Sequence, residues 1–261
     1  MKDPLFDLEG RVAVVTGGMG QLGAVYASGL AERGMHVAVF DVAAGDVPEG
    51  ARSFEVDVTD RSALEHAVGA VEAEWGVPHV LVNNAGLDSP PDAPAEEVGP
   101  FETYPEESFD AVMDVNVKGP FLASQVVGGA MAREGRGSIV NVSSIYGLLS
   151  PVQELYAFRR DRGETFVKPV AYSVSKSAIL NLTRYLATYW AKDGVRVNTL
   201  TLAGVWRDQP EEFLEAYHAR VPMGRMLEAR EALGAVVFLA SDASSYVTGA
   251  NLVVDGGWSA W

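Results

Sequence analysis

Seven short runs of apolar, mostly β-branched residues recur along the chain, at 12–16, 36–41, 53–58, 80–83, 138–143, 195–202 and 251–254. Helix-like segments separate them, at 21–33, 62–74, 108–133, 171–192 and 230–239. Strands apolar on both faces need cover on both faces, and connections of helix length join parallel neighbours. The alternation predicts an α/β fold: one doubly wound, seven-stranded parallel sheet with helices on both sides. No internal repeat or linker interrupts it, so residues 1–261 are expected to form a single domain. Ser62 with Glu65, and Thr103 with Glu106, match the spacing of capping boxes at helix starts.

Three stretches break the rhythm: 87–100, which holds four prolines, 148–169, and 203–225, where 211–219 reads as a short helix. Each follows a strand. In open parallel sheets, ligands bind outside the carboxyl ends of the strands, so these three are expected to be the substrate loops.

Composition removes several classes of function. Cysteine is absent, which excludes a thiolate nucleophile, a disulfide framework and a cysteine-held metal. The four histidines, His36, His66, His79 and His218, include no pair at ligand spacing, so no metal is expected. A net charge of −15 argues against nucleic acid, whose phosphates call for a basic surface. Residues 1–10 lack an apolar signal core and no run is long enough to cross a bilayer, so a cytoplasmic protein is expected, with no membrane partner. No G-x-S-x-G elbow occurs, which disfavours a hydrolase.

The first strand runs into Thr16-Gly17-Gly18-Met19-Gly20-Gln21-Leu22-Gly23, where Gly18, Gly20 and Gly23 fit G-x-G-x-x-G at a strand-to-helix junction. Such glycines let the backbone turn sharply and approach a pyrophosphate seated on the helix N-terminus. Asp41, at the end of the second strand, stands where a carboxylate takes the ribose hydroxyls of a dinucleotide. It would repel a 2′-phosphate, and residues 40–47 contain no basic side chain to compensate, so NAD is expected over NADP. Tyr172 and Lys176 are four apart in Ala-Tyr-Ser-Val-Ser-Lys, which places a phenol and an ammonium on one helix face. A nearby positive charge favours the phenolate, so the pair reads as a proton relay with a lowered tyrosine pKa.

With these features in order, the chain resembles the short-chain dehydrogenase/reductase family, and the resemblance covers nearly all of it. Its further motifs are Asp57-Val58, Asn83-Asn84-Ala85-Gly86, Asn116 within Asp-Val-Asn-Val-Lys-Gly, Ser143-Ser144, Arg196-Val-Asn-Thr, and the ending Tyr-Val-Thr-Gly-Ala-Asn-Leu-Val-Val-Asp-Gly-Gly. The resemblance implies a Rossmann fold with Tyr172 as acid/base, Lys176 lowering its pKa and holding the nicotinamide ribose, and Ser144 steadying the substrate oxygen. It also implies Asn116 fixing a water beside Lys176. The cofactor cleft would be lined by Gly17, Gly18, Gly20, Gln21, Leu22, Gly23, Asp41, Asp57, Val58, Asn83, Asn84, Ala85, Gly86, Ala203, Gly204 and Val205. Three departures stand out: Gln21 where the family turn has glycine, Ala203-Gly204 where it has Pro-Gly, and an insertion, 148–169, between Ser144 and Tyr172.

The leading expectation is an NAD-dependent oxidoreductase interconverting a secondary alcohol and a ketone on a sugar, sugar acid or polyol. A non-redox epimerase or dehydratase retaining NAD, and a catalytically silent dinucleotide sensor, are the alternatives. For the substrate, Ser144, Tyr146, Tyr172, Trp206 and the insertion's arginines are the candidates. Arg159 and Arg162, with Arg160 between them, suit an anionic sugar acid, unless Glu154, Asp161 and Glu164 neutralise them in surface pairs. The resemblance implies a homotetramer or dimer, with Trp258 and Trp261 near a subunit contact.

Overall fold

A computed structural model describes residues 3–89 and 93–261. Its centre is a seven-stranded parallel sheet in the order β3-β2-β1-β4-β5-β6-β7. The strands are β1 (Val12–Thr16), β2 (His36–Asp41), β3 (Ala51–Glu55), β4 (Val80–Asn83), β5 (Gly137–Ser144), β6 (Val195–Leu202) and β7 (Asn251–Val254). The helices are α1 (Gln21–Ala31), α2 (Arg61–Trp75), α3 (Glu106–Met113), α4 (Gly119–Ala123), α5 (Gly129–Glu134), α6 (Ile145–Leu148), α7 (Ala157–Asp161), α8 (Val170–Trp190), α9 (Glu211–His218) and α10 (Leu233–Ala240). The strand order reverses between β1 and β4, which opens a crevice at their carboxyl ends.

Alternation along each strand sorts its side chains between two cores. Ala13 and Val15 of β1 join Val37, Val39, Val82, Val140 and Leu200 under α1 and α10. Val12 and Val14 join Ala38, Phe40, Leu81, Ile139 and Val197 under α2, α8 and the helices that follow β4. A third cluster, with Ile145, Leu155, Tyr217, Met226 and Trp258, lies where the two long loops meet. Trp258 packs at a tilt against Tyr217, ring centroids 4.7 Å apart, and is buried in the chain's own packing, whereas Trp261 is exposed.

Local details depart from expectation for identifiable reasons. Strand β3 begins at Ala51 and ends at Glu55 rather than covering 53–58. Asp57 Oδ1 accepts from both the amide and the hydroxyl of Thr59, and this turn ends the strand and sends Val56–Val58 toward the crevice. Asp60, not Ser62, caps α2, accepting from the amides of Ser62 and Ala63, while Glu65 pairs with Arg61. Thr103 bonds back to Pro100, and α3 starts after Pro105 with no side-chain cap. The capping box that does form joins Glu228 and Glu231. The single helix expected at 108–133 is a continuous run broken by two π turns, Asp114–Lys118 and Ser124–Gly128. Pro120, just past the first, has no N–H to give to an α-helical bond.

A buried chain of polar side chains crosses the sheet beneath the site. Asn83 Nδ2 donates to Asn141 Oδ1 at 2.8 Å and to Ser124 Oγ at 3.2 Å. Asn141 Nδ2 donates to Thr183 Oγ1 at 2.9 Å, and Thr199 Oγ1 bonds the same hydroxyl at 2.7 Å. These bonds tie β4, β5 and β6 to the helices above them. Asn141→Ala takes the acceptor from Asn83 Nδ2 and the donor from Thr183 Oγ1, so urea unfolding should show a loss of about 2–4 kcal/mol. A loss under about 0.5 kcal/mol would mean the chain does not act as a unit.

Candidate active site and dinucleotide cleft

The carboxyl ends of the strands frame a cleft of about 1010 Å³. At one end β1 turns at Gly17, whose φ of +61° is in the left-handed region and where an added Cβ would fall 2.7 Å from Ala85 Cα. Thr16 Oγ1 accepts from the amides of Asn84 and Ala85, and Asn84 Nδ2 donates to the carbonyls of Thr16 and Gly17. These bonds hold the glycine turn against the end of β4. Gly20 caps α1 without any side-chain bond, so no side chain covers the helix's first amides. Asp41 takes the Met19 amide on Oδ2 at 3.0 Å and lines the cleft with Met19, Val42, Asp57 and Val58.

The glycines divide by role. Gly17 and Gly20 line the cleft, with Gln21 and Leu22. Gly18 and Gly23 do not: each is a packing contact, Gly18 against Val39 and Gly23 against the Gly17 carbonyl, where a Cβ would sit 2.1 Å from oxygen. Asn83 is likewise absent from the wall, being buried in the polar chain below; Asn84 occupies the place expected of it. Gln21 Nε2 reaches across to the carbonyl of Trp206 at 2.8 Å, so the residue that departs from the family turn ties the two lips together. Ala203, Gly204 and Val205 form the far wall, and the Gly204 amide donates to the Tyr217 hydroxyl at 2.7 Å.

At the other end Ser144, Tyr172 and Lys176 converge. Strand β5 and helix α8 are clamped there. Ser143 Oγ donates to the Lys176 carbonyl at 2.8 Å, and Lys176 Nζ donates to the Val142 carbonyl at 3.2 Å. Gly147 lies so close that a Cβ would fall 2.6 Å from that carbonyl oxygen of Lys176. Ser144 and Tyr172 line the same end of the cleft, and the Lys176 ammonium lies 5.7 Å from the centroid of the tyrosine ring. Asn116, on the first π turn, donates to the Leu87 carbonyl and to Ser175 Oγ, and accepts from the Leu87 amide at 2.7 Å.

The electrostatics run against the sequence expectation. Burial, reinforced by the Asp88 carboxylate, pushes the Tyr172 phenol up to about 12, with only the Ser144 hydrogen bond acting downward. Burial also lowers Lys176 to about 8. Both groups have lost more by leaving water than the pair recovers. In this state the phenol is held protonated at neutral pH.

Of the residues expected to touch substrate, Ser144, Tyr146 and Tyr172 line the cleft, and Arg159, Arg162 and Trp206 do not. Arg159 pairs with Glu164 at 2.6 Å, Arg160 with Glu154 at 3.0 Å, and Arg162 with Glu212, all near the surface. The arginine cluster is therefore neutralised by its own loops. Residues not anticipated are Asp88, Lys168 and Tyr156, which share the wall beside Tyr172 with Tyr146.

The family model described as "Enoyl-(Acyl carrier protein) reductase" matches residues 19–259. The D-threitol dehydrogenase of Mycolicibacterium smegmatis is 34% identical over 97% of this chain and 95% of its own. A short-chain dehydrogenase from Leptospira borgpetersenii, solved with bound NAD+, superposes with a TM-score of 0.87 at 30% identity, over 99% of this chain and 96% of the other. A gluconate 5-dehydrogenase from Burkholderia cenocepacia, solved with NADP and tartrate, superposes with a TM-score of 0.83 at 27% identity, over 99% and 98%. With the fold and cleft described above, these matches make the chain a member of the short-chain dehydrogenase/reductase family. It is an oxidoreductase with a dinucleotide-binding fold.

The clamp yields a direct test. Gly147→Ala must shift α8 away from β5, so denaturant unfolding should show a loss of about 1–3 kcal/mol. Turnover should fall with it, because Ser144 and Tyr172 sit on opposite sides of the contact. Unaltered stability would mean the close approach relaxes without strain.

Proposed function

We propose that this protein is an NAD-dependent dehydrogenase that interconverts a secondary alcohol and a ketone on a small polyhydroxylated molecule. The observation that carries the reading is a single cleft with Asp41 at one end and Ser144, Tyr172 and Lys176 at the other. The wall around Asp41 contains no Lys or Arg, the cleft's basic residues being Lys168, Lys176 and Arg207. That setting suits two free ribose hydroxyls and opposes a 2′-phosphate. The uncapped start of α1 suits a pyrophosphate. When bound, the nicotinamide supplies or accepts the hydride.

The chain's own residues supply the rest. Ser144 hydrogen-bonds the reacting oxygen and holds it against the Tyr172 hydroxyl. In reduction Tyr172 gives its proton to that oxygen as charge develops there; in oxidation its phenolate takes the proton from the alcohol. Lys176, held by the Val142 carbonyl, positions the cofactor's ribose and lends positive charge to the phenolate when protonated. Asn116 fixes the loop after β4 against α8 and keeps the cleft floor in register with the catalytic helix.

Tyr172→Phe should lower kcat by at least about a hundredfold on any alcohol the native protein oxidises. NAD affinity, read by fluorescence titration, should stay within about threefold, which 0.65 kcal/mol spans. Because the phenol starts near 12, alcohol oxidation should strengthen as pH rises and ketone reduction as it falls. A net change in reduced-nicotinamide absorbance on turnover is required; product formation without it would instead indicate an epimerase or dehydratase.

Asp41→Ala removes the carboxylate that faces the adenosine end. The native protein should favour NAD over NADP strongly in kcat/KM, and the variant should narrow the ratio by about tenfold or more. Equal kcat/KM for the two cofactors in the native protein would overturn the NAD assignment.

A further inference from the structure

We propose that Asp88 and Lys168 form a hydroxyl-binding pair that selects a neutral polyol, engaging the hydroxyls beside the carbon that reacts at Tyr172. The proposal rests on the dehydrogenase reading above and names its substrate class. Asp88 and Lys168 lie 80 residues apart in the chain and meet at the mouth of the catalytic end of the cleft. Lys168 Nζ is 2.6 Å from Asp88 Oδ1 and also bonds Oδ2. The same ammonium is 5.5 Å from the centroid of the Tyr172 ring.

The pair is built in rather than draped on the surface. The Lys168 side chain is only 11% exposed. Its backbone amide donates to Gln153 Oε1 at 2.8 Å, and the preceding amide, of Val167, donates to the Val98 carbonyl at 2.7 Å. Both substrate loops thus hold this one position, and Pro169 then starts α8. The insertion carries its arginines outward and delivers a lysine inward, one helical turn before the catalytic tyrosine.

Asp88 remains reachable, its side chain 57% exposed. A carboxylate has about four acceptor positions and an ammonium three donors, so the pair keeps free capacity on both sides after bonding itself. The carboxylate's field reaches the phenols of Tyr104, Tyr146, Tyr156 and Tyr172, and raises all four. Tyr146 and Tyr156 line the same wall of the cleft. Ser144, Tyr146, Tyr156, Tyr172 and Lys176 share this end of the cleft with the pair, and Arg207 is exposed on the opposite lip.

Charge decides between substrates. The pair is neutral in sum, so a carboxylate brought to Lys168 meets Asp88 beside it. A hydroxyl meets no such penalty, donating to Asp88 or accepting from Lys168. A mono-alcohol leaves both groups without the ligand's hydrogen bonds.

The test uses the purified protein saturated with NAD. Equilibrium binding and initial rates are measured for threitol, 2,3-butanediol, 2-butanol and gluconate, in the native protein and in Asp88→Asn, Lys168→Met and the double variant. The native protein should favour the diol and polyol over 2-butanol by about tenfold or more in kcat/KM, and over gluconate. Each single variant should lose most of the polyol-to-2-butanol ratio, mainly through KM. Arg160→Gln, on the outer face, should leave that ratio unchanged, and thermal unfolding separates misfolded variants from altered ones. Polyol binding and rate ratios untouched by both single variants would overturn the pair's role. So would a native preference for gluconate that Lys168→Met abolishes. Because binding is read apart from turnover, polyol binding through the pair with no oxidation would sink the dehydrogenase reading instead.

Discussion

Everything the cleft does depends on the clamp between the end of β5 and the first turns of α8. In each bond a side chain of one element meets a main-chain carbonyl of the other: the carbonyl of Lys176 takes the Ser143 hydroxyl, and the carbonyl of Val142 takes the Lys176 ammonium. The two elements therefore exchange bonds in both directions over a few ångströms, and glycine at 147 lets them approach that closely. Ser144 ends one element and Tyr172 opens the other. Their placement on one end of the cleft follows from how the two elements are fastened and needs no help from a flexible loop. The sheet supplies the same rigidity from below, through the buried amides and hydroxyls of Asn83, Asn141, Thr183 and Thr199.

That rigidity has an electrostatic side. Fixing a phenol and an ammonium in a packed crevice strips both of water, and the loss outweighs their mutual attraction. Asp88 acts upward on both, adding to the effect of burial on the tyrosine and opposing it on the lysine. The Tyr172 phenol consequently keeps its proton at neutral pH. A single carboxylate contributed by the loop after β4 therefore influences both the Tyr172 phenol and the groups around it.

The sheet was legible because its evidence is local and repeated. The bounds of β1, β2, β4, β6 and β7 follow from apolar runs alone, and their alternation assigns each side chain to a core. The Tyr172–Lys176 pair and Asp41 were read from a helical spacing and a strand end, and Ser144 from the family resemblance; the fold brings all four to one cleft. What escaped the sequence was whatever depends on partners distant in the chain. Asp60 captured a cap that Ser62 and Glu65 matched by spacing. The direction of the Tyr172 shift depends on burial, which no i, i+4 rule contains. The arginines of the insertion find Glu164, Glu154 and Glu212, two from their own loop and one from α9. Lys168 and Asp88 each look like ordinary surface charges until the fold brings them together.

Asn116 shows what a π turn makes possible. Its carboxamide both gives a hydrogen bond to Leu87 and takes one from it, which is how two residues face each other across an antiparallel ladder. The side chain thus acts as a lone peptide unit, a rung extending from a helix to the chain that leaves β4. It mends a backbone that has run past its last strand neighbour. The widened helical turn aims that rung, so a bulge in one element serves as the missing edge of another.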